Sequence, residues 1–381
     1  MSENKTYKKQ VRVFLGVFIL LVATTSIVNI YFNPYATFSN YQFEKRVVVS
    51  DRMQKCLQVK GLSEKPEAFV LGSSNSMRFL PKTIDSLTGL NAYNYGVFHA
   101  RVEDFWCISN VILKDFKLRP KLVLFCIDDW NFADEPAPPD EFFEGAEKRL
   151  AFKPIYAKYL DDYSTGKLLW NQFKASINVD QTTASLDVLK DQLVNGRTWT
   201  KEIVDYSTTF FDDGVRIRYG TLGSDRDVTE EAESGQFDVT QSLMSTHEDW
   251  KKYPKTNRGI LSDSHEMFEN FSPRRLELFV RTIELLEENG CKVILNLMPL
   301  QPYYKSLVLE TTNYSKRIDH LKNFLAWLKL RHHNILLVQD NTDISYFSGH
   351  ENHFFHNIHP TSVNSDLMLF RLFREIDVNA F

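Results

Sequence analysis

Apolar and polar positions divide the chain into stretches of different character. Val13 to Phe32 is a charge-free, mostly apolar run. At about 1.5 Å per residue it is long enough to cross a bilayer as a helix. Residues 33–65 are mixed and charged, with Lys45, Arg46, Asp51, Arg52 and Lys55. They predict a connector carrying a short amphipathic helix. A regular alternation then begins. Apolar strands are predicted at Glu67–Leu71, Asn91–Tyr95 and Lys121–Ile127, and Val102–Phe116 has helical spacing. From Asn131 to about Phe271 the pattern stops. Asp, Glu, Thr and Ser dominate there, and Pro136–Pro139 marks a turn, so residues 132–271 read as an insertion of helices and loops. The alternation resumes at Ser272, an N-cap followed by proline at the first helical position. Leu276, Phe279, Val280, Ile283 and Leu286 make one apolar face, and Asn289-Gly290 closes that helix. A strand at Lys292–Met298, a helix at Ser315–Arg331, a strand at Ile335–Val338 and a helix at Val363–Ile376 complete the series. Strands apolar on both faces, alternating with helices, predict an α/β domain built on a mostly parallel five-stranded sheet from residues 66–131 and 272–381.

Charge orients the apolar helix. Lys5, Lys8, Lys9 and Arg12 precede it, so residues 1–12 are expected in the cytoplasm and everything after Phe32 outside. Tyr31, Phe32 and Tyr35 fall where an interfacial aromatic belt belongs, and Pro34 can end the helix. A cleaved signal peptide competes with this reading, but Val22-Ala23-Thr24 offers no A-x-A site. The expectation is a single-pass signal-anchor with its main domain external, periplasmic or extracytoplasmic. The 381 residues carry 45 Lys and Arg against 49 Asp and Glu, a net charge of −4. That lacks the basic excess of a general nucleic-acid binder, so no nucleic-acid partner is expected. The four cysteines, Cys56, Cys107, Cys126 and Cys291, have no metal-ligand spacing, and Cys126 and Cys291 read as buried free thiols.

In open parallel sheets, functional groups gather beyond the carboxyl ends of the strands. The first strand delivers Gly72-Ser73-Ser74-Asn75-Ser76, the second Asn94-Tyr95-Gly96, and the third Asp128-Asp129-Trp130-Asn131. After the fifth come His350, His353, His356 and His359-Pro360-Thr361. A serine on a strand-to-helix turn, with a histidine from a late loop, is the start of nucleophilic acyl chemistry. The bland alternatives are a polar turn capping the next helix for Ser73–Ser76, and a helix cap with a solvated charge for Asp128-Asp129. Histidines at every third position invite a metal reading. That spacing alone does not place four imidazoles on one ion, and neither a metal nor a dissociable cofactor is assigned. His332-His333 ends a helix and suits its dipole.

These motifs resemble the SGNH/GDSL hydrolase superfamily. Gly72-Ser73-Ser74 is similar to its first block, Gly-Asp-Ser, in the Gly-Ser-Ser form of membrane-anchored envelope relatives. Gly96 falls at the glycine of the second block, Asp128-Asp129 at the Asn-Asp of the third, and His359-Pro360 at the end of the last. The resemblance implies a three-layer flavodoxin-like SGNH fold. Ser74 would be the nucleophile and His359 the general base, with the Ser74 and Gly96 N–H groups as oxyanion donors. It further implies acyl transfer or ester hydrolysis, with acetyl as the group, on an envelope or exported polysaccharide. A multi-spanning membrane protein would be the acyl donor. Two positions depart from the pattern. His356 stands where the family has its Asp, and Asp128 stands where it has an Asn that donates a hydrogen bond. Asn75 or Asn131 would supply that donor. A Ser–His dyad and a non-catalytic envelope or polysaccharide-binding relative both follow from those departures.

Overall fold

The computed structural model describes residues 2–34, 37–38, 51–134, 154–195, 213–214, 234–235, 238, 240–241, 244, 268–355 and 358–377. In chain order the strands and the α-helices of eight or more residues are α1 (Ser2–Phe32), α2 (Asp51–Gly61), β1 (Ala68–Gly72), α3 (Pro81–Thr88), β2 (Ala92–Asn94), α4 (Val102–Asn110), β3 (Leu122–Ile127), α5 (Thr165–Ser176), α6 (Val179–Asn195), α7 (Pro273–Glu288), β4 (Lys292–Leu297), α8 (Pro302–Thr311), α9 (Tyr314–Arg331), β5 (Ile335–Asp340) and α10 (Ser362–Arg374). The chain forms two compact units, residues 1–54 with 149–208, and residues 55–148 with 209–381. The stretch 132–271 is thus shared between them, and the segment 33–65 divides within α2.

The second unit is built on five strands in the order β2-β1-β3-β4-β5, all parallel. Every residue of β1 and β3 is buried, as a sheet covered on both faces requires. Side chains alternate between those faces. Val70, Leu122, Leu124 and Ile294 point one way and pack with Ile84 of α3 and Met368, Leu369 and Leu372 of α10. The opposite face carries Phe125, whose ring meets Phe105 of α4 at 5.3 Å and Phe279 of α7 at 5.4 Å. The sheet is therefore the middle of three layers. Its strand order reverses direction between β1 and β3, one of the common doubly wound arrangements, and ligands bind such sheets at that switch point.

Some elements exceed the sequence reading. α8 lies in a region without a predicted element, opened by Pro302 at its first turn and capped by Gln301. The helix from Val102 passes at Val111 into a π segment, Val111–Asp115. Lys55, expected in a charged connector, is fully buried, and its Nζ donates to Asn94 O at 2.8 Å. The His332 imidazole pairs with Glu287 at 2.9 Å, and the His333 N–H donates to the same carboxylate. All four cysteines are free and buried.

In the first unit, α1 contains a 26-residue span, Tyr7–Phe32, long and apolar enough to cross a membrane. Its carboxyl-terminal half packs on α5 and α6. Asn29 is buried there, and its amide donates to Ser176 O at 2.9 Å and to Thr182 Oγ1 at 2.8 Å.

Candidate active site

β1 ends at Gly72, where a side chain has no room. A Cβ there would lie 2.6 Å from Ser76 Oγ and 2.9 Å from Cys126 Cβ. The chain then turns through a short 3₁₀ segment, Ser74–Ser76, capped by Ser73. Ser73 Oγ accepts from Asn75 N at 3.2 Å, and Ser76 Oγ returns a bond to Ser73 O at 2.7 Å. This cross-tied turn holds Ser74 at the switch point. The Ser74 N–H, at the first position of the turn, has no intrahelical acceptor.

His359 reaches the same point from the loop before α10. Its Nε2 lies 2.9 Å from Ser74 Oγ, across 285 residues of sequence. The loop is tied in several places. Phe354 bridges Pro360, Phe355 N donates to His359 O, and Thr361 N donates to His353 O. Asn364, buried in the first turn of α10, donates its amide to His350 O at 2.9 Å and His353 O at 2.8 Å, and its Oδ1 accepts from His350 N. From the nucleophile side, the Arg78 guanidinium stacks 5.1 Å above the Phe355 ring.

The third contribution comes from β3. Asp128 is buried, and its two oxygens accept from Ser73 Oγ at 2.5 Å and Asn75 Nδ2 at 2.7 Å. Burial pushes its carboxyl up to about 7, against the two hydrogen bonds, while Asp129 adds to the rise. Asp129 turns the other way and accepts from Arg317 Nε of α9 at 2.9 Å. Burial raises its pKa, and the Arg317 charge opposes the rise. Both aspartates are interior, so the solvated-charge reading gives way to that of a buried support.

The predicted residues fall into two groups. Ser74, His359, Asn75 and Asp128 are joined through hydrogen bonds around the Ser73–Ser76 turn. Gly96 and Asn131 lie beside it in supporting positions. The Gly96 N–H already donates to Asn94 Oδ1 at 2.9 Å. Asn131 accepts from Asp128 N at 2.7 Å and donates to Ala100 O at 2.7 Å. His356 lies outside the described residues. Among those residues, no group of three or more His, Cys, Asp and Glu side chains is arranged to hold a metal ion. The His350 and His353 rings meet edge to face at 5.5 Å.

Sequence reasoning placed Asn94 at the end of the second strand but gave it no role. Its amide donates to Ser76 O at 2.7 Å and Phe79 O at 2.9 Å, binding β2 to the nucleophile turn. It missed Asn364, Arg78 and Arg317. Asn94 and Asn364 carried a usable signal, since each sits at the carboxyl end of a strand or the start of a helix, where a buried amide pairs with loop carbonyls. Searches against protein-family models and curated proteins find no match to this chain.

Proposed function

We propose that the chain is an SGNH-like serine acyltransferase or esterase, anchored by α1, that moves acyl groups, acetyl foremost, on an envelope or exported polysaccharide. The observation that carries this reading is the 2.9 Å contact between Ser74 Oγ and His359 Nε2 at the switch point of the sheet. A neutral His359 accepts the Ser74 proton as Oγ bonds to the acyl carbon. The Ser74 N–H is placed to stabilise the developing oxyanion. Collapse expels the donor's leaving group, which takes the proton back from His359 and leaves Ser74 acylated. A sugar hydroxyl or water then attacks the ester, giving its proton to His359, and Ser74 is released with its own proton restored. The three-layer arrangement and strand order support the flavodoxin-like form of the fold. A polysaccharide acceptor and a multi-spanning acyl-donor partner are part of the same reading, as is an external location for the second unit.

Labelling of the detergent-solubilised full chain with a fluorophosphonate tests the nucleophile. Wild type is expected to label and to hydrolyse a small acetyl ester. Ser74→Ala should abolish both, and His359→Ala should lower both by at least a hundredfold. Folded protein that neither labels nor hydrolyses would favour the second reading, a non-catalytic envelope or polysaccharide-binding protein. One observation supports that alternative: the Gly96 N–H, an expected oxyanion donor, is taken by Asn94.

A further inference from the structure

We propose that the first unit binds membrane lipid, with one acyl tail of a bilayer phospholipid lying in the groove between α1 and α5. The proposal rests on α1 spanning the membrane and is independent of the Ser74 chemistry. The groove encloses about 480 Å³. Phe18, Ile19, Val22 and Ile30 of α1 form one wall, and Leu169 and Phe173 of α5 form the other. Two of its polar groups satisfy each other, since Ser26 Oγ lies 3.1 Å from Ser176 Oγ.

Three features point to a lipid tail rather than a water-soluble ligand. First, the α1 wall belongs to the apolar span Tyr7–Phe32, so in a membrane the groove sits at hydrocarbon depth. From Phe18 to Ile30 it runs about 18 Å along the helix at 1.5 Å per residue, close to the ~15 Å of one hydrocarbon leaflet. Second, the apolar side chains of this unit continue outward onto the helix pair. Leu169, Trp170, Phe173, Ile177 and Val179 are exposed, and so are Leu186, Leu193 and Val194 of α6. An exposed apolar cluster like that on α5 marks a membrane or binding face, whereas on α6 the exposed Asp180, Asp187 and Lys190 lie among the apolar side chains. Third, Lys167 and Lys174 flank Trp170 along one stripe of α5, beside the apolar sector. Lysines beside an indole are the pattern of a segment at the membrane–water boundary, and Lys167 is paired there with Asp162. The buried Asn29 bonds hold the pair against α1.

The test uses the full chain in phosphatidylcholine vesicles that contain a phosphatidylcholine with a mid-chain diazirine on one tail. After flotation and irradiation, labelled peptides are mapped by mass spectrometry. The expected result is label on residues 165–177 and on the groove side of α1, at least tenfold above peptides of the second unit. Ala23→Trp, which fills the groove, should cut the 165–177 label several-fold, and Leu169→Gln, which keeps its volume, should also lower it. Circular dichroism confirms that both variants fold. Floating protein labelled only at Val17 and Leu21, on the opposite side of α1, would overturn the groove and leave the anchor standing. Floating protein without lipid label on residues 165–177, in which an added bifunctional amine crosslinker joins α5 lysines of two copies, would overturn it in favour of a second copy. Protein that fails to float would overturn the anchor and the groove together, while the Ser74 labelling would stand unaffected.

Discussion

At the scale of the residue, the site depends on small and buried polar groups more than on large ones. A Cβ on Gly96 would lie 2.3 Å from Ser76 Oγ and 3.2 Å from Ser73 O. Gly96→Ala must therefore displace the turn that carries Ser74. It is expected to cost about 1–3 kcal/mol in urea unfolding and to lower fluorophosphonate labelling. Asp128 makes a second prediction. Its carboxyl is raised from an ordinary 3.8 to about 7 in the folded chain. Between those values the folded state holds a proton that the unfolded state has released, so each rise in pH favours unfolding. The stability this group contributes is fully present below about pH 4 and is lost as pH rises through 7. Thermal midpoints of wild type should fall between pH 5 and 8, and Asp128→Asn should flatten that fall. An equal slope in both proteins would assign the pH dependence elsewhere.

At the scale of the element, the β3 turn is held by a helix distant in sequence and the late loop by the helix that follows it. Arg317 of α9 is buried against Asp129, and its guanidinium lies 4.1 Å above the Phe268 ring. Removing one partner of a buried pair strands the other charge, so Arg317→Met should destabilise by about 3–5 kcal/mol. Arg317→Met with Asp129→Asn should recover part of that loss in a double-mutant cycle. Asn364→Ala removes the three bonds that pin His350 and His353. It should lower ester turnover more than substrate affinity, because it loosens the loop that aims His359. The strands and most helices were legible because burial on both faces leaves apolar runs, and one-sided burial leaves a 3.6-residue period. Ser74 and His359 were legible because the carboxyl-end rule selects few positions. Lys55 was not, since a lysine beside other charges reads as solvated, and only the fold reveals that it reaches Asn94 O. α8 was hidden by the prolines at 299 and 302, which mimic a loop although Pro302 in fact opens the helix.

At the scale of the whole molecule, the sequence separates an apolar N-terminal segment from an α/β domain, and the structure gives the segment a companion. Residues 149–208 join the N-terminal helix, although their own pattern suggests only broken helical spacing. The reason is that α5 and α6 bury Ser176 and Gln181 against α1 while Leu169, Trp170, Leu186 and Leu193 stay largely exposed, unlike a soluble amphipathic helix. Asn29→Leu should loosen this assembly. Limited proteolysis is expected to cut more readily within 165–195, while Ser74 labelling of the second unit holds.

The parallel order of the sheet also sets a timetable. Ser74 follows the first strand and His359 follows the fifth, 285 residues later. At ~5–20 residues per second of synthesis, an emerging chain displays the serine for about 15–60 s before its histidine exists. Whatever the pair does, it does only after the chain has been made as far as residue 359. A ribosome-bound or prematurely terminated product carries the hydroxyl without the means to activate it.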